Sequence, residues 1–569
     1  MEKKTLPIVV ALVLVIVFWW DILGWLGLVK PTPPPTKTTT ADTTHVVAPA
    51  DSTQKPAVQS AVDSVVSPTL ALQTAENVKP DTVVIKTKKY VVTLSSFGGG
   101  PVSIKLLEHT YRDGTQIEML PNCSVVVPEA TFAGGTFSTS KVQFASSLAP
   151  GTYGATSSPL DLIYTFKTST GGEVIRKYRF SPDKYDYQLT IEVINRDKLG
   201  FERQYELMWN HPLGVTEPEP ATDYQAMEAV SMMSGSREKL TDFQDGKLNQ
   251  SLTGNATWAG VRAKYFSAVL IPQNRVADGV LAKGTKIKIE TPKGRIEEVR
   301  ITAGLEMPFE LVNNFADTFT VFVGPLDYSL MADYNVGLQD MLDIGTTPYI
   351  GWIIKPFARA IIWLLPKIHT AVGNYGLVMI IFAFLVKIVT LPLSLKQYKS
   401  MNAMKEIQPK LEEMKKRLKN NPQQLQSETM KMYKEHGVNP FSGCLPMLAQ
   451  MPLIFAMFSV FRSTILLRGA PFVWPIMDLS RGASGFTDPY IILVVLMVAS
   501  QFVSQTLTMP SNQQNKMLMY MMPLVFGFFF YSFAAGLVLY WTVFSLLSVA
   551  DYYIFRRRMM VKNPVVKSI

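Results

Sequence analysis

The sequence has little of what catalysis and covalent cross-linking require. Only two cysteines occur in 569 residues, Cys123 and Cys444, and the topology predicted below puts them on opposite faces of a membrane, so we expect no disulfide and no thiolate metal site. Three of the five histidines, His45, His109 and His211, stand alone in sequence, and a lone histidine is more often a hydrogen-bonded residue than a catalyst. No P-loop, H-E-x-x-H or G-x-S-x-G pattern is present. We therefore predict a protein without enzymatic activity, cofactor or metal.

Charged residues are also scarce, at 18%, whereas hydrophobic residues make up 47% and the mean hydropathy is +0.14. This balance is too apolar for a wholly soluble chain and too polar for a wholly embedded one, so we expect a soluble part and a membrane part. The net charge of +10 could attract nucleic acid, but the excess of Lys and Arg flanks apolar segments. Orientation in a membrane explains that distribution better, and nucleic acid is not predicted as a specific ligand.

Composition divides the chain into four predicted parts. Residues 1–30 contain an apolar run that follows two lysines and lacks a small-residue cleavage site, which indicates an uncleaved transmembrane anchor with a cytoplasmic N-terminus. Residues 31–81 are rich in Pro, Thr, Ser and Ala and predict a disordered linker. Residues 82–340 are a predicted β-sandwich domain, and residues 341–569 are a predicted helical membrane part.

The region 82–340 shows the alternation and turn residues that are typical of strands. Residues 161–167 and 174–180 flank a Gly-Gly turn and predict a hairpin, and residues 187–194 predict a third strand. Few stretches have helical periodicity. We therefore predict a large all-β sandwich on the non-cytoplasmic side of the membrane.

Apolar segments return after residue 349. Residues 352–368 mix Lys and Arg with Ile, Trp and Leu, which favours an amphipathic helix at the outer membrane surface. The five spans predicted after it are 375–395, 441–467, 490–507, 517–533 and 537–555, and with the anchor they make six. The basic segment 396–436 and the arginines at 556–558 then both fall on the cytoplasmic side, as the positive-inside rule requires. We expect a multi-pass membrane protein with both termini cytoplasmic and residues 31–350 outside.

Lys387 lies inside the first of these five spans. Helical rise places it about 13 Å from Lys396, the first charge beyond the apolar run. A charge at that depth is costly in lipid, so it marks a functional site at which the lysine faces protein or water. The alternative is a lysine whose flexible stem merely reaches the headgroups.

Other polar side chains accompany Lys387 in the spans. With the anchor counted as the first span, they are Gln450 in the third span, Gln501, Ser504 and Gln505 in the fourth, and Thr542, Ser545 and Ser548 in the sixth. If these faces converge on Lys387, the bundle encloses a wet polar cavity. The alternative is that each amide bonds to a neighbouring helix, which contributes about 0.6 kcal/mol.

The basic segment 396–436 has a helical pattern of its own. Apolar residues recur at three- and four-residue spacing, and residues 420–422 (NNP) interrupt the pattern before a second helix. The predicted cytoplasmic hairpin carries methionines at Met401, Met404, Met414 and Met430. Methionine packs adaptably, so these residues form either a docking surface for hydrophobic segments or a stripe that packs on the neighbouring helix.

Several motifs closely resemble the YidC/Oxa/Alb family of membrane-protein insertases. In the membrane part they are NPFSGCLPMLAQMP at 439–452, RGAPF at 468–472, DLS at 478–480, DPY at 488–490 and GLVLY at 536–540. In the β-rich part they are FGGG at 97–100, WAG at 258–260, KYF at 264–266 and GP at 324–325. This second set is similar to the periplasmic domain of the Gram-negative members of the family.

The resemblance implies an inner-membrane insertase with a periplasmic β-supersandwich and five core helices around a groove open to cytoplasm and lipid. Lys387 matches the family's single positive groove residue, which is typically arginine, Gln505 matches its groove glutamine, and Trp541 matches an aromatic groove position. Ser545 stands where many members have asparagine. Lysine keeps the charge but lacks arginine's planar fork, so recognition of a carboxylate should be less demanding in geometry. The predicted groove residues are Lys387, Gln450, Gln501, Gln505, Trp541 and Ser545.

We hypothesise from the sequence an insertase that works alone or with the Sec translocon. An incoming segment docks on the hairpin, and Lys387 transiently holds its polar or acidic N-terminal region. Its apolar part then slides into lipid, driven by about 25 cal/mol per Å² of apolar area that leaves water. The predicted partners are nascent membrane proteins, translocon subunits, the lipid bilayer and the ribosome.

Two other classes of protein remain as alternatives. A transporter or channel could bind a small anion at Lys387, but the spans show no inverted repeat. The β-rich part could instead be a carbohydrate-active enzyme tethered to the membrane.

Overall fold

The structure is a computed structural model. It describes residues 80–132, 137–201, 204–292, 294–308, 312–344, 351–418, 421–436, 445–508 and 513–562. The predicted anchor (1–30) and all but the last two residues of the predicted linker (31–81) lie outside the described residues, as do His45 and Cys444.

The β-rich part forms two sheets. In chain order the strands are β1 Thr82–Lys86, β2 Tyr90–Ser95, β3 Gly100–Thr110, β4 Gln116–Glu118, β5 Glu129–Phe132, β6 Phe137–Ser138, β7 Ala145–Ser146, β8 Gly151–Gly154, β9 Leu160–Lys167, β10 Glu173–Phe180, β11 Asp186–Ile194, β12 Gln204–Trp209, β13 Glu228–Met233, β14 Ser236–Leu240, β15 Lys247–Arg262, β16 Phe266–Pro272, β17 Ala277–Thr291, β18 Gly294–Pro308 and β19 Phe315–Pro325. Short helices lie between strands at Arg196–Leu199, Pro220–Tyr224 and Tyr328–Ala332, and 3-10 turns lie at Thr139–Lys141 and Leu338–Leu342.

The strand order separates a small sheet from a large one. Within the described residues the small sheet has the order β4-β3-β2-β1-β8. The large sheet runs β6-β5-β12-β18-β17-β15-β16-β19-β11-β10-β9-β7, with β13 paired to β15 and β14 paired to β13. The all-β character that the sequence predicts for this region is therefore confirmed.

The predicted hairpin and third strand are also confirmed. β9 pairs antiparallel with β10, and β10 pairs antiparallel with β11. Gly171 in the connecting turn has a φ of +87°, a left-handed conformation that glycine adopts without steric penalty. Alternate residues of β10 from Val174 to Phe180 are buried, so one face of the strand supplies the core while the other is more accessible.

A fully buried arginine explains one of the glycine motifs. Arg176 on β10 donates hydrogen bonds to the carbonyl oxygens of Gly98 at 3.0 Å and Pro128 at 2.6 Å. Gly98 and Gly99 have φ of +85° and +60°, and a Cβ at Gly98 would lie 2.4 Å from Val126 Cγ2. The FGGG motif therefore lets the loop between β2 and β3 bring the Gly98 carbonyl group onto a guanidinium inside the core.

Beyond residue 350 the described chain is mainly helical. In chain order the helices are α1 Gly351–Val372, α2 Tyr375–Arg417, α3 Pro422–Glu435, α4 Leu445–Ser463, α5 Ile491–Thr508, α6 Gln513–Phe530 and α7 Ala535–Lys562, with a 3-10 turn at Ile465–Leu467. α7 packs against both α2 and α5, and α1 packs against α4. α7 therefore lies between α2 and α5.

α2 continues without a break past residue 395, where the sequence predicts the end of a span and the start of the cytoplasmic hairpin. The first basic residues mark a change of surroundings but do not interrupt the hydrogen bonds of a helix. The first arm of the hairpin is therefore an extension of the same helix. The second arm begins where the sequence predicts it, because the Asn421 side chain accepts a hydrogen bond from the Gln424 N–H at 3.2 Å and caps α3.

α1 has two unlike faces, in keeping with the predicted amphipathic helix. Ile354, Ile361 and Leu365 are buried, whereas Trp352 and Trp363 are exposed. Exposed tryptophans beside basic residues are typical of a helix at a membrane interface.

The surface of the other helices is strongly apolar. The stretches Tyr375–Met404 in α2 and Ala535–Phe555 in α7 are long and apolar enough to cross a membrane, and Ile491–Leu507 and Met519–Phe530 are apolar but shorter. On α2 the Val389 side chain is 79% exposed, and on α6 the Phe528 side chain is 84% exposed. Exposing such an apolar surface to water costs free energy, whereas exposing it to hydrocarbon does not. The helical part therefore has the outer surface of a membrane protein.

Arg468 joins the helical part to the β-rich part. Its Nε donates to Glu217 Oε1 at 2.7 Å, and its other two nitrogens donate to the carbonyl oxygens of Thr110 and Thr216. The guanidinium also lies over the Phe266 ring at 5.5 Å. The RGAPF motif thus contributes a cation whose partners lie on the β-rich part.

His109 lies beside this junction and predicts a pH dependence of stability. Its ring packs against Tyr185 and Phe266, and burial, aided by the Arg468 charge, lowers the pKa of His109 from 6.5 to about 4. Between those two pH values the folded state binds fewer protons than the unfolded state, so the free energy of unfolding falls as pH drops, by about 2–3 kcal/mol in total.

Thermal unfolding of the chain between pH 7 and pH 4 measures this loss. We expect His109→Gln to remove the part of the pH dependence that lies between pH 6.5 and 4. Equal slopes for the wild type and the variant in that window would contradict the assignment.

Candidate functional site

Lys387 occupies the buried stripe of α2 and points at α7. Its Nζ atom donates to Ser548 Oγ at 2.8 Å and lies 3.0 Å from Asp551 Oδ2. The same nitrogen sits 4.7 Å from the centroid of the Phe544 ring. Lys387 is only 5% exposed, so the lysine faces protein, as its depth in the span predicts, and does not snorkel to the surface.

The ion pair with Asp551 adds a partner that the sequence did not predict for Lys387. The sequence does contain a signal for this partner, because Asp551 is an acidic residue in the apolar run of the last span. A buried ammonium is costly unless it is paired and hydrogen-bonded, and here a carboxylate, a hydroxyl and an aromatic face together surround it.

A second polar group lies between α5 and α7. Gln501 Oε1 accepts hydrogen bonds from Trp541 Nε1 at 3.3 Å and from Ser545 Oγ at 2.9 Å. Three of the predicted groove residues therefore contact one another. The contact is of the kind expected if each glutamine amide bonds to a neighbouring helix. Both contacts use the amide oxygen, and they hold the α5 helix against α7.

Gln505 lies one turn beyond Gln501 on α5. Its side chain is buried, and its Oε1 atom accepts no hydrogen bond from the part of the chain that the structure describes. A buried amide oxygen without a donor has a desolvation cost of about 1–3 kcal/mol, so this atom is available to accept a hydrogen bond. Gln450 is half-buried on α4, and the described polar contacts do not join it to the other predicted groove residues.

One face of α7 carries both polar groups. Trp541, Ser545, Ser548 and Asp551 recur at spacings of four, three and three residues, which places them along one side of a helix. We call these four residues the α7 polar stripe. Its first half contacts Gln501 on α5, and its second half contacts Lys387 on α2.

The cavity beside Trp541 is apolar. It has a volume of about 220 Å³ and is lined by Ile454, Phe455, Met457, Phe458, Phe530, Leu537 and Trp541, from α4, α6 and α7. This differs from the predicted wet cavity around the polar residues. In the described structure Lys387 contacts Ser548 and Asp551, and Gln501 bonds to Trp541 and Ser545, whereas this cavity lies on the apolar side of Trp541.

The four hairpin methionines named in the prediction are in unlike surroundings. Met401 and Met414 are buried and Met404 is half-buried, with Met404 and Met414 in the cluster that packs α2 against α3. Met430 on α3 is 47% exposed. Packing on the neighbouring helix thus accounts for Met404 and Met414, and Met430 is the methionine that is open to solvent.

Comparison with known proteins matches both parts of the chain. Residues 82–360 match the YidC periplasmic domain, and residues 367–563 match the 60Kd inner membrane protein. The membrane protein insertase YidC of Chlorobium phaeovibrioides is 32% identical over 94% of this chain and 92% of its own length. Those of Chlorobaculum tepidum and Syntrophus aciditrophicus are 34% and 30% identical, over 83% and 97% of this chain and 81% and 99% of their own.

The fold and these matches define an inner-membrane protein that carries a large β-rich periplasmic domain on a helical membrane part. The chain belongs to the YidC family of membrane protein insertases. Its activity is the insertion of membrane proteins, which are its substrates, and that activity is not enzymatic.

Proposed function

We propose that the chain inserts membrane proteins through a hydrophilic groove built on the α7 polar stripe. Lys387, Gln501, Gln505, Trp541 and Ser545 line or border this groove in the proposal, with Gln450 on the α4 side. The observation that supports it most directly is a buried lysine and a row of polar side chains inside helices whose outer surfaces are apolar. We infer a function from this combination because a cation buried among lipid-facing helices costs free energy, so such a residue marks a functional site.

In this proposal the groove handles the polar part of a substrate and lipid receives the apolar part. The acidic or polar N-terminal region of an incoming segment is held near Lys387. Gln505 Oε1, which has no donor within the described residues, accepts a hydrogen bond from a substrate backbone N–H, which removes a desolvation cost from both groups. The apolar residues leave past the cavity beside Trp541 into hydrocarbon.

The proposed topology has six transmembrane helices, of which α2, α4, α5, α6 and α7 form the core and the anchor at 1–30 is the sixth. Both termini are cytoplasmic, and residues 31–350 are periplasmic. The basic residues of the segment 396–436 and the arginines at 556–558 support this orientation. The proposed divisions of the chain are the anchor (1–30), the linker (31–81), the periplasmic domain (82–340) and the core with its hairpin (341–569).

The proposed partners follow from the exposed surfaces. The solvent-accessible Met430 on α3 is the proposed point at which the hairpin meets hydrophobic segments, while Met404 and Met414 pack its two helices together and Met401 is buried. The basic hairpin and tail suit contact with the ribosome, whose surface is anionic. Subunits of the Sec translocon are proposed partners for the substrates that need them.

Crosslinking to stalled nascent chains tests the groove. Trp541 is replaced by a photo-reactive phenylalanine analogue, and ribosomes stalled on a short membrane protein with an acidic tail are added. We expect crosslinks between position 541 and the nascent chain. The matched control is the same replacement at Trp363, which is an exposed tryptophan on α1. Crosslinks of equal yield at both positions, or at neither, would show that the nascent chain does not use this groove.

A further inference from the structure

We propose that Asp551 is an internal counter-ion that an acidic substrate residue must displace from Lys387, which makes Asp551 a residue that sets substrate specificity. The inference rests on the proposed function, because it takes Lys387 to be the cation that contacts substrates. It adds a competitor to that site. A neutral segment gains nothing by displacing Asp551, whereas a carboxylate takes its place.

The two members of the pair are held very differently. Lys387 Nζ has a hydroxyl acceptor in Ser548 and an aromatic face in Phe544 in addition to the carboxylate. Asp551 Oδ2 accepts no well-oriented hydrogen bond within the described residues, so charge attraction holds this oxygen. The lysine is thus fixed by its surroundings, and the carboxylate is the partner that can move.

The side chains also differ in their access to the outside. The Lys387 side chain is 7% exposed and that of Asp551 is 16% exposed. When displaced, Asp551 can turn toward its exposed side, where solvation stabilises its charge. The lysine has no comparable alternative, because it lies on the buried stripe of α2.

Asp551 lies on the hairpin side of Lys387. α2 and α7 run in the same direction, since Lys387 contacts Ser548 while Tyr398, further along α2, contacts Tyr552 and Phe555. Asp551 is therefore nearer than Phe544 to the end of the bundle from which the hairpin extends. In the proposed topology that end faces the cytoplasm, so a substrate arriving there meets Asp551 on its way to the lysine.

An internal carboxylate serves the cycle of an insertase. Leaving the lysine unpaired between substrates would leave a buried charge without compensation, which is strongly destabilising. Exchange of one carboxylate for another keeps the charge compensated before and after binding. The apparent affinity for acidic segments is then lowered by the fraction of time for which Asp551 occupies the site.

The test compares two substrates that differ in one residue. A short membrane protein with an aspartate in its N-terminal tail and the same protein with asparagine there are inserted into proteoliposomes that contain the full-length chain. Protease protection gives the acidic-to-neutral insertion ratio. We expect Asp551→Asn to raise this ratio about tenfold, because the competitor is gone. Asp551→Glu keeps a carboxylate and is expected to keep the wild-type ratio.

A second pair of variants covers the case in which Asp551→Asn fails to fold. Lys387→Gln leaves Asp551 without its partner, so acidic tails are repelled and the ratio falls below the wild-type value. Lys387→Gln combined with Asp551→Asn removes both charges, leaves no uncompensated ion, and brings the ratio back to about one. The double variant therefore tests the role of Asp551 in a protein that contains no unpaired lysine at position 387.

The outcomes separate the two proposals. Two outcomes overturn the role of Asp551 and leave that of Lys387 intact. One is a lowered acidic-to-neutral ratio in Lys387→Gln that the double variant does not bring back to about one. The other is a wild-type ratio in a folded Asp551→Asn variant. A wild-type ratio in both Lys387→Gln and the double variant overturns the charge role of Lys387, and the role of Asp551 falls with it.

Discussion

Lys387→Glu is expected to lower the insertion of a short membrane protein with an acidic tail about tenfold or more. In the wild type the ammonium lies 3.0 Å from Asp551, so the substitution sets two carboxylates against each other at a buried position. Two like charges at about 4 Å repel by roughly 4 kcal/mol at an effective dielectric of about 20, which also describes buried sites in proteins. The site would then repel the acidic tails that it holds in the proposed function. Protease protection of the substrate in proteoliposomes measures the effect.

Two further variants separate the charge from the fold. Lys387→Arg keeps the positive charge and should retain most of the activity, although its planar fork makes different contacts with Ser548 and Asp551. Lys387→Glu combined with Asp551→Lys restores an ion pair with reversed polarity, so it should restore the thermal stability of the protein without restoring wild-type insertion of acidic tails. Full insertion by the single Lys387→Glu variant would rule out a charge role for this position.

Arg468→Ala is expected to destabilise the attachment of the periplasmic domain to the core by about 3–5 kcal/mol, because it leaves a carboxylate with a largely buried side chain unpaired. The Glu217 side chain is 10% exposed and that of Arg468 is 12% exposed. The substitution also removes the donors to the carbonyl oxygens of Thr110 and Thr216. Hydrogen exchange at the backbone around these two threonines should therefore increase, and the first transition in thermal unfolding should shift down.

Arg481→Ala is the matched control for this prediction. Arg481 pairs with Asp488, and both residues lie in the connection between α4 and α5, so the variant also breaks an ion pair but leaves the described contacts of Arg468 in place. We expect little change in exchange around Thr110 and Thr216. If Arg481→Ala and Arg468→Ala raise that exchange equally, the junction does not depend on the Arg468–Glu217 contact.

Local patterns were sufficient to predict much of the fold. The alternation in 161–167 and 174–180 and the glycines between them predicted a hairpin that the structure contains, because strand pairing between neighbours in sequence depends on a short turn. The Asn421–Pro422 signal predicted the start of α3 for the same local reason. The end of the first span, predicted at 395, does not coincide with the end of a helix, because a change of side-chain polarity marks a new environment and leaves the backbone of α2 uninterrupted.

The site was predicted less completely. The depth of Lys387 in an apolar run indicated a functional residue, because the cost of a charge in hydrocarbon depends on composition alone. Its partner lies 164 positions away in sequence on α7, and no periodicity relates Lys387 to Asp551. The sharing of Gln501 Oε1 by Trp541 and Ser545 likewise depends on how α5 crosses α7.

By itself the sequence determined the classes of segment in this protein: which stretches are apolar enough for a membrane, which alternate as strands, and where a costly charge stands. It could do so because hydrophobicity, turn preference and the desolvation of a charge are properties of a residue and its near neighbours. The tertiary structure decided which charges neutralise each other, namely Lys387 with Asp551 and Arg468 with Glu217. Electrostatic attraction acts over a few ångströms in space, and only the packing of helices and sheets brings such distant residues within that range.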